Sequence, residues 1–163
     1  MIKILPETPA RHAEAIEALY DRTFGPGHFA KTAERLREYS TSLPDVTRVA
    51  VAENKVIGVC RLWPISIGLD RDRAVFVGPV AVDPGFQGQR LGLTITGESL
   101  EAAAQAGWPA ALIIGSPTYF GELGFQTVSP ERFSFPGPQD MRRVMLKALS
   151  GQPDQFRGAV RAA

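Results

Sequence analysis

The sequence holds a single cysteine and two histidines in 163 residues. Cys60, being alone, excludes an internal disulfide, and the scarcity of thiol and imidazole excludes a cysteine or histidine metal cluster. No charge of one sign predominates: 18 Lys and Arg against 17 Asp and Glu leave a formal charge of +1. The charges are interspersed, so there is no electrostatic footprint for nucleic acid or an anionic membrane. Long apolar runs are also missing, since the longest, Ala74 to Val82, is too short to cross a bilayer. The opening "MIKILPETPA" lacks the basic, apolar and small-residue blocks of a secretory leader, and a cytoplasmic location is expected. With 44% hydrophobic residues the chain can bury a sizeable core. Residues 1–149 are expected to form one domain, and 150–163 a weakly structured C-terminal tail.

Glycine and proline are plentiful, 16 and 13 residues, and they punctuate the chain. Ile2 to Leu5 reads as a strand. Thr8-Pro9 opens a helix on which Ala13, Ile16, Leu19 and Tyr20 recur at helical spacing, with His12 expected on its exposed side. "FGPGHFA" interrupts it, and Lys31 to Tyr39 is helical again. Val46 to Ala52, Val56 to Leu69 and Ala74 to Val82 read as an antiparallel meander, the first two joined at Glu53-Asn54-Lys55. Leu91 to Ala106 is a helix with Leu93, Gly97, Leu100 and Ala104 on its stripe, stopped by Gly107 and Pro109. Ala110 to Ile114 is a short buried strand, so strand, helix and strand form a right-handed crossover. "SPTYFGELGF" predicts a short helix before a strand at Phe125, and Arg143 to Leu149 a last strand. The class is α/β with a mixed sheet.

The stretch "VAVDPGFQGQRLG", Val80 to Gly92, carries the chemistry. Glycines at a helix start let a ligand approach the backbone and leave N–H groups pointing outward, where the helix dipole adds about half a positive charge. This is an anion site, and phosphate is its commonest occupant. The G-x-G-x-x-G spacing of dinucleotide folds is absent, and no Lys-Ser/Thr follows Gly88 as a P-loop requires.

What remains, Gln87 to Gly92 after Val80-Ala81-Val82-Asp83-Pro84, resembles the acyl-CoA signature of the GNAT superfamily of N-acetyltransferases. "YFGELGF", Tyr119 to Phe125, is similar to a second segment of that superfamily. "RLWP", "GPVAV" and "GSPTYF" are similar to its bacterial YhbS-like branch. The resemblance implies a mixed sheet with a splayed parallel strand pair and helices on both faces. It further implies acetyl-CoA as cosubstrate, no metal, and transfer of the acetyl group to an amine of a small molecule or peptide. Dimers are common among similar proteins, so a homodimer is among the expected assemblies.

Residue by residue, the resemblance assigns the CoA pyrophosphate to the N–H groups of Gln87, Gly88, Gln89, Arg90, Leu91 and Gly92. Arg90 replaces the family's first motif glycine, keeping the N–H and adding a cation. Gly78-Pro79 interrupts an apolar strand, and proline has no N–H for a ladder, so a bulge is expected. In the family the pantetheine arm pairs beside this bulge, here with Val80 and Val82, and the Val80 N–H polarises the thioester carbonyl, an effect worth about 3 kcal/mol.

The usual general-acid Tyr position holds Phe120, which would instead line the cofactor. Tyr119 lies one residue earlier, turned by about 100°, and is the remaining acid candidate or a substrate wall. Positions where relatives often carry a Glu or His base are Phe76 and Gly78, and Asp83 reads as a turn residue. An amine resembling lysine costs about 4.6 kcal/mol to deprotonate at pH 7, so water or a less basic amine is implied. The acceptor pocket is expected from Phe24, Gly25, Pro26 and Gly27, with Arg61 pairing a substrate carboxylate and Trp63 as a wall. Surface or core roles for Arg61 and Trp63 are the competing reading. His28 could reach the pocket, and Cys60 is expected to be a small core residue. The alternative to an enzyme is a CoA-binding sensor that has lost efficient chemistry.

Overall fold

A computed structural model describes residues 1–25, 32–38 and 40–163. Pro26, Gly27 and His28 lie outside the described residues, as do 29–31 and 39. The chain runs β1 (Ile2–Pro6), α1 (Pro9–Phe24), α2 (Thr32–Arg35), β2 (Arg48–Ala52), β3 (Lys55–Ile67) and β4 (Asp72–Val82). It continues through α3 (Leu91–Gln105), β5 (Ala110–Ile114), α4 (Pro117–Phe120), β6 (Gln126–Thr127), β7 (Phe133–Ser134), β8 (Val144–Ala148) and β9 (Gly158–Ala162).

β1 to β4 form the expected antiparallel meander. Glu53 and Asn54, both at positive φ, make the two-residue turn between β2 and β3. β5 lies parallel to β4 through the α3 crossover, and β8 and then β6 continue the sheet antiparallel. Alternation along the strands divides the core in two. Val49, Val56, Val59 and Ala81 meet Ile16, Leu19 and Tyr20 of α1 on one face. Ala50, Ile57, Cys60, Leu62, Val75 and Val77 meet Leu91, Ile95, Leu100 and Ala103 of α3 on the other. The mixed sheet with helices on both faces follows directly from this pattern.

Three expectations are corrected. The chain after Gly151 is not weakly structured: β9 pairs with Ile65–Ile67 of β3 and runs parallel to β7, with Phe156 and Val160 buried. β3 is long enough for one edge to serve two partners, β2 on its first half and β9 on its last turn of pleat. Second, the buried face of α3 is wider than the expected stripe: Leu93 and Leu100 are buried as expected, Ala104 is exposed, and Ile95, Thr96, Ser99 and Ala103 are buried as well, Thr96 and Ser99 turning their hydroxyls to the Gly92 and Cys60 carbonyls. Third, His12 is buried, its Nδ1 accepting the N–H of the N-cap residue Thr8 at 3.0 Å, which ties the ring back to the start of the helix.

Phe156 fills the space beside Gly151 and Pro109. Phe156→Ala should cost about 3–5 kcal/mol, read as a lowered midpoint in urea unfolding. A change within error would place the C-terminal strand outside the cooperative core.

Candidate functional site

The site begins where the β4 ladder fails. On its inner edge β4 pairs with β3 from Asp72 to Val77, skips, and resumes at Val80↔Cys60, so Gly78-Pro79 stand opposite Arg61 alone. On the other edge the parallel pairing with β5 is limited to Val75–Val77 against Ala111–Ile113. Gly78 takes φ of +122, open to glycine, and Pro79 has no N–H to continue either ladder. The expected bulge and splay therefore have a local cause.

Beyond the bulge the alternation of the strand decides which groups are free. Asp83 donates its N–H to the Ile57 carbonyl at 2.8 Å, which aims Ala81 at β3 as well and turns the N–H and C=O of Val80 and Val82 outward. Among the described residues that outward edge has no strand partner. Gln87 Nε2 donates to one lone pair of the Val82 carbonyl at 3.1 Å, tying the following turn to the strand.

The turn itself is set by Asp83. Its Oδ1 accepts the Gly85 N–H at 3.0 Å and its Oδ2 meets Arg22 of α1, also at 3.0 Å. The Gly85 bond first, and then Arg22, hold its carboxyl below the usual range, so it is an ionised structural group rather than a base. Gln87, Gly88, Gln89 and Arg90 follow, all exposed, with none of their N–H groups donated to a backbone carbonyl among the described residues. Gly88 has φ of +86 and nothing within 4 Å of where a Cβ would stand. Arg90 sits at φ +59, the left-handed conformation a glycine would adopt freely, at a cost of about 1–2 kcal/mol. Its guanidinium meets Glu122 at 3.1 Å in an exposed pair, which offsets little of that strain. Leu91 and Gly92 then open α3, which has neither a side-chain cap nor an acidic residue in its first turn. Its first N–H groups are left for an outside acceptor.

α4 closes the other side. Tyr119 directs its hydroxyl at the first turn of α3, 2.5 Å from where a Cβ on Gly92 would stand, so Gly92 is required for that approach. Phe120 turns its ring inward, 2.7 Å from a Cβ position on Gly115, and crosses Tyr119 edge-on at 4.8 Å. Tyr119 and not Phe120 thus carries a hydroxyl to the mouth of the cleft.

The acceptor residues need revision. Arg61 is not open to a substrate. Its Nε and Nη2 take both oxygens of Glu7, at 3.5 and 3.3 Å, and Nη1 takes Glu17 at 3.0 Å. Glu7 is itself buried, so the pair is an internal ion cluster. Trp63 shares the sheet face with Arg61 as expected, but its Nε1 donates to the Gly78 carbonyl at 2.8 Å, bracing the bulge. Tyr20 does the same for the Pro79 carbonyl at 3.4 Å; burial pushes its phenol far up, and it stays neutral. Phe24 is partly exposed against Tyr20, and Gly25 ends α1 at φ +77. Phe76 is buried, and the nearest carboxylate shown on this side among the described residues, Glu34, is held by Arg37 at 2.6 Å. Cys60 is fully buried, its thiol pushed up to about 11 by burial, and is inert packing. Sequence reasoning missed Tyr20 and Arg37 as residues of the bulge. An aromatic at a core helix position and an Arg three residues after a Glu give no sign of what they face. Among the described residues no three His, Cys, Asp or Glu gather as a metal site, and no helix is long and apolar enough to cross a membrane.

The model of the acetyltransferase (GNAT) family matches residues 13–116. YhbS of Escherichia coli K12, named an uncharacterized N-acetyltransferase, is 29% identical over 147 residues, 85% of this chain and 86% of its own. The crystal structure of E. coli YhbS in complex with CoA has a TM-score of 0.79 at 25% identity, covering 100% of this chain and 89% of that one. A GNAT family acetyltransferase from Brucella melitensis in complex with acetyl-CoA gives 0.75 at 22% identity, over 100% and 96%.

Arg61→Met should cost about 3–5 kcal/mol in urea unfolding, because it strands the buried Glu7 charge, and adding Glu7→Gln should recover part of the loss. If the double variant is no more stable than the single one, the cluster is not what holds Arg61.

Proposed function

The chain belongs to the GNAT family of acetyltransferases, and from that membership we propose that it moves the acetyl group of acetyl-CoA to a primary amine by direct attack on the thioester. The observation that carries this reading is the open edge of Val80 and Val82, running into the uncapped start of α3. A diphosphate fits Gln87 to Gly92, where several free N–H groups and the helix dipole converge and no side chain fills the space over Gly88. The pantetheine amides fit the outward main-chain groups of Val80 and Val82 as an added strand.

In the reaction the amine nitrogen bonds to the acetyl carbon, the carbon–sulfur bond breaks, and sulfur leaves as thiolate. The Val80 N–H donates to the thioester oxygen as negative charge gathers there. The amine's proton goes to water, since Phe76 and Gly78 themselves offer no side-chain base. The leaving thiolate needs little protonation at neutral pH, and the Tyr119 hydroxyl is the group at the cleft mouth able to supply a proton. A CoA-binding sensor of the same fold is the second reading, favoured by the inward Phe120 and the absent base. It is separated from the first by CoA release across an amine panel: binding without release above background supports the sensor.

Gly88→Val should leave the fold intact, because the added side chain meets no protein atom, although its positive φ is strained. The rise in melting temperature that acetyl-CoA gives the parent protein should disappear in this variant; an undiminished rise would remove the phosphates from this turn. Tyr119→Phe should lower kcat by about 10- to 100-fold with little change in the acetyl-CoA KM if the hydroxyl donates a proton. An unchanged kcat assigns Tyr119 to packing on Gly92.

A further inference from the structure

Two arginines stand on the face of the sheet that α1 and α2 cover, and their forks are used differently. Arg61 presents its Nε–Nη2 edge to Glu7 and its Nη1 to Glu17. Arg37, just past α2, has the same opportunities and takes one. Its Nη1 meets Glu34 at 2.6 Å, its guanidinium lies over the Phe76 ring at 5.4 Å, and its Nε is buried without a hydrogen-bond partner among the described residues. The side chain is 9% exposed. A buried guanidinium N–H left unsatisfied is costly, and in a native protein it calls for an explanation.

Its position supplies one. A Cβ on Gly78 would lie 3.8 Å from Arg37 Nη2 and 3.7 Å from the Val80 nitrogen. The place left by the Gly78 side chain is therefore flanked by the N–H proposed to polarise the thioester on one side and by Nη2 of a buried guanidinium on the other. The neighbouring carbonyls of the bulge are already taken, Gly78 by Trp63 and Pro79 by Tyr20, so neither competes for Arg37. The edge formed by Nε and Nη2 matches a planar carboxylate in two parallel bonds, as Arg61 and Glu7 demonstrate in the same protein.

We propose that Arg37 binds a carboxylate of the acceptor beside the bulge at Gly78, so that the substrate is an amino carboxylic acid whose amine stands close to its acid group. This rests on the acetyl-transfer reading and narrows it. Arg37 takes the role that the sequence suggested for Arg61, whose fork is filled from within the protein.

The test compares matched pairs, amino acids against the amines that result from removing their carboxyl group, with an aminoalkyl phosphate as a third arm. Release of CoA is followed in the parent protein, in Arg37→Gln and in Arg37→Lys. The parent should prefer the carboxylate member by about 100-fold in kcat/KM. Arg37→Gln should abolish that preference through a raised KM for the amino acids, and Arg37→Lys should restore part of it. Equal use of both members by the parent, or preference for the phosphate, overturns the proposal whatever the variants do, and so does a preference that survives in Arg37→Gln. A second measurement needs no turnover: with CoA present, a panel of N-acetyl amino acids should bind the parent in calorimetry and bind Arg37→Gln at least 10-fold more weakly. Binding of this kind without CoA release retains the carboxylate site and defeats the acetyl-transfer reading. CoA release without carboxylate preference does the reverse. Absence of binding to the parent, with no carboxylate preference, defeats the inference.

Discussion

Everything at the site depends on a strand that cannot stay paired. Gly78-Pro79 gives β4 a residue that adopts a backbone angle closed to others and then one without an N–H, so the ladder with β3 slips and that with β5 stops at Val77. A continuous parallel pair would be the more stable sheet, and it would leave no unpaired main-chain groups. The lost hydrogen bonds are returned in part by side chains, the Trp63 indole and the Tyr20 phenol, which hold the bulge carbonyls on the α1 face. The opposite edge keeps its valence for a visitor.

Charge is arranged around the same interruption with a division of labour. Asp83 is committed to Gly85 and Arg22, which links the end of α1 to the turn before α3. Arg61 is committed to Glu7 and Glu17. These pairs fix elements relative to one another, and a group fully engaged in that way is unavailable for catalysis or recognition. Among the described residues the polar groups left unmet are the N–H groups of the glycine turn, the outward N–H groups of Val80 and Val82, and the Nε of Arg37.

Much of this was legible in the sequence because it is local. The strand ending at Asp83, the glycine turn, the α3 stop at Gly107 and the bulge at Gly78-Pro79 each follow from a residue whose backbone preference admits few alternatives. What escaped is long-range. Nothing near Gly158 shows that it will lie beside Gly68, and the pairing of β9 with β3 is set by space left beyond the end of β2. His12 and Arg61 look like surface residues on composition, yet each is buried because a partner far in sequence or one turn away satisfies it. The full width of the buried face of α3 was hidden by Thr96 and Ser99, polar residues that a periodicity reading assigns to solvent and whose hydroxyls are spent on backbone carbonyls.

The contact between the Tyr119 oxygen and the bare α-carbon of Gly92 binds two distant positions to a common fate. As the chain diverges, a larger residue at 92 becomes admissible once 119 has shortened or its ring has swung outward, and the observed approach of the Tyr119 hydroxyl lasts only while 92 stays without a side chain. Substitutions at the two positions are therefore expected to be inherited as a pair, a covariation imposed by shape alone and independent of what the cleft binds.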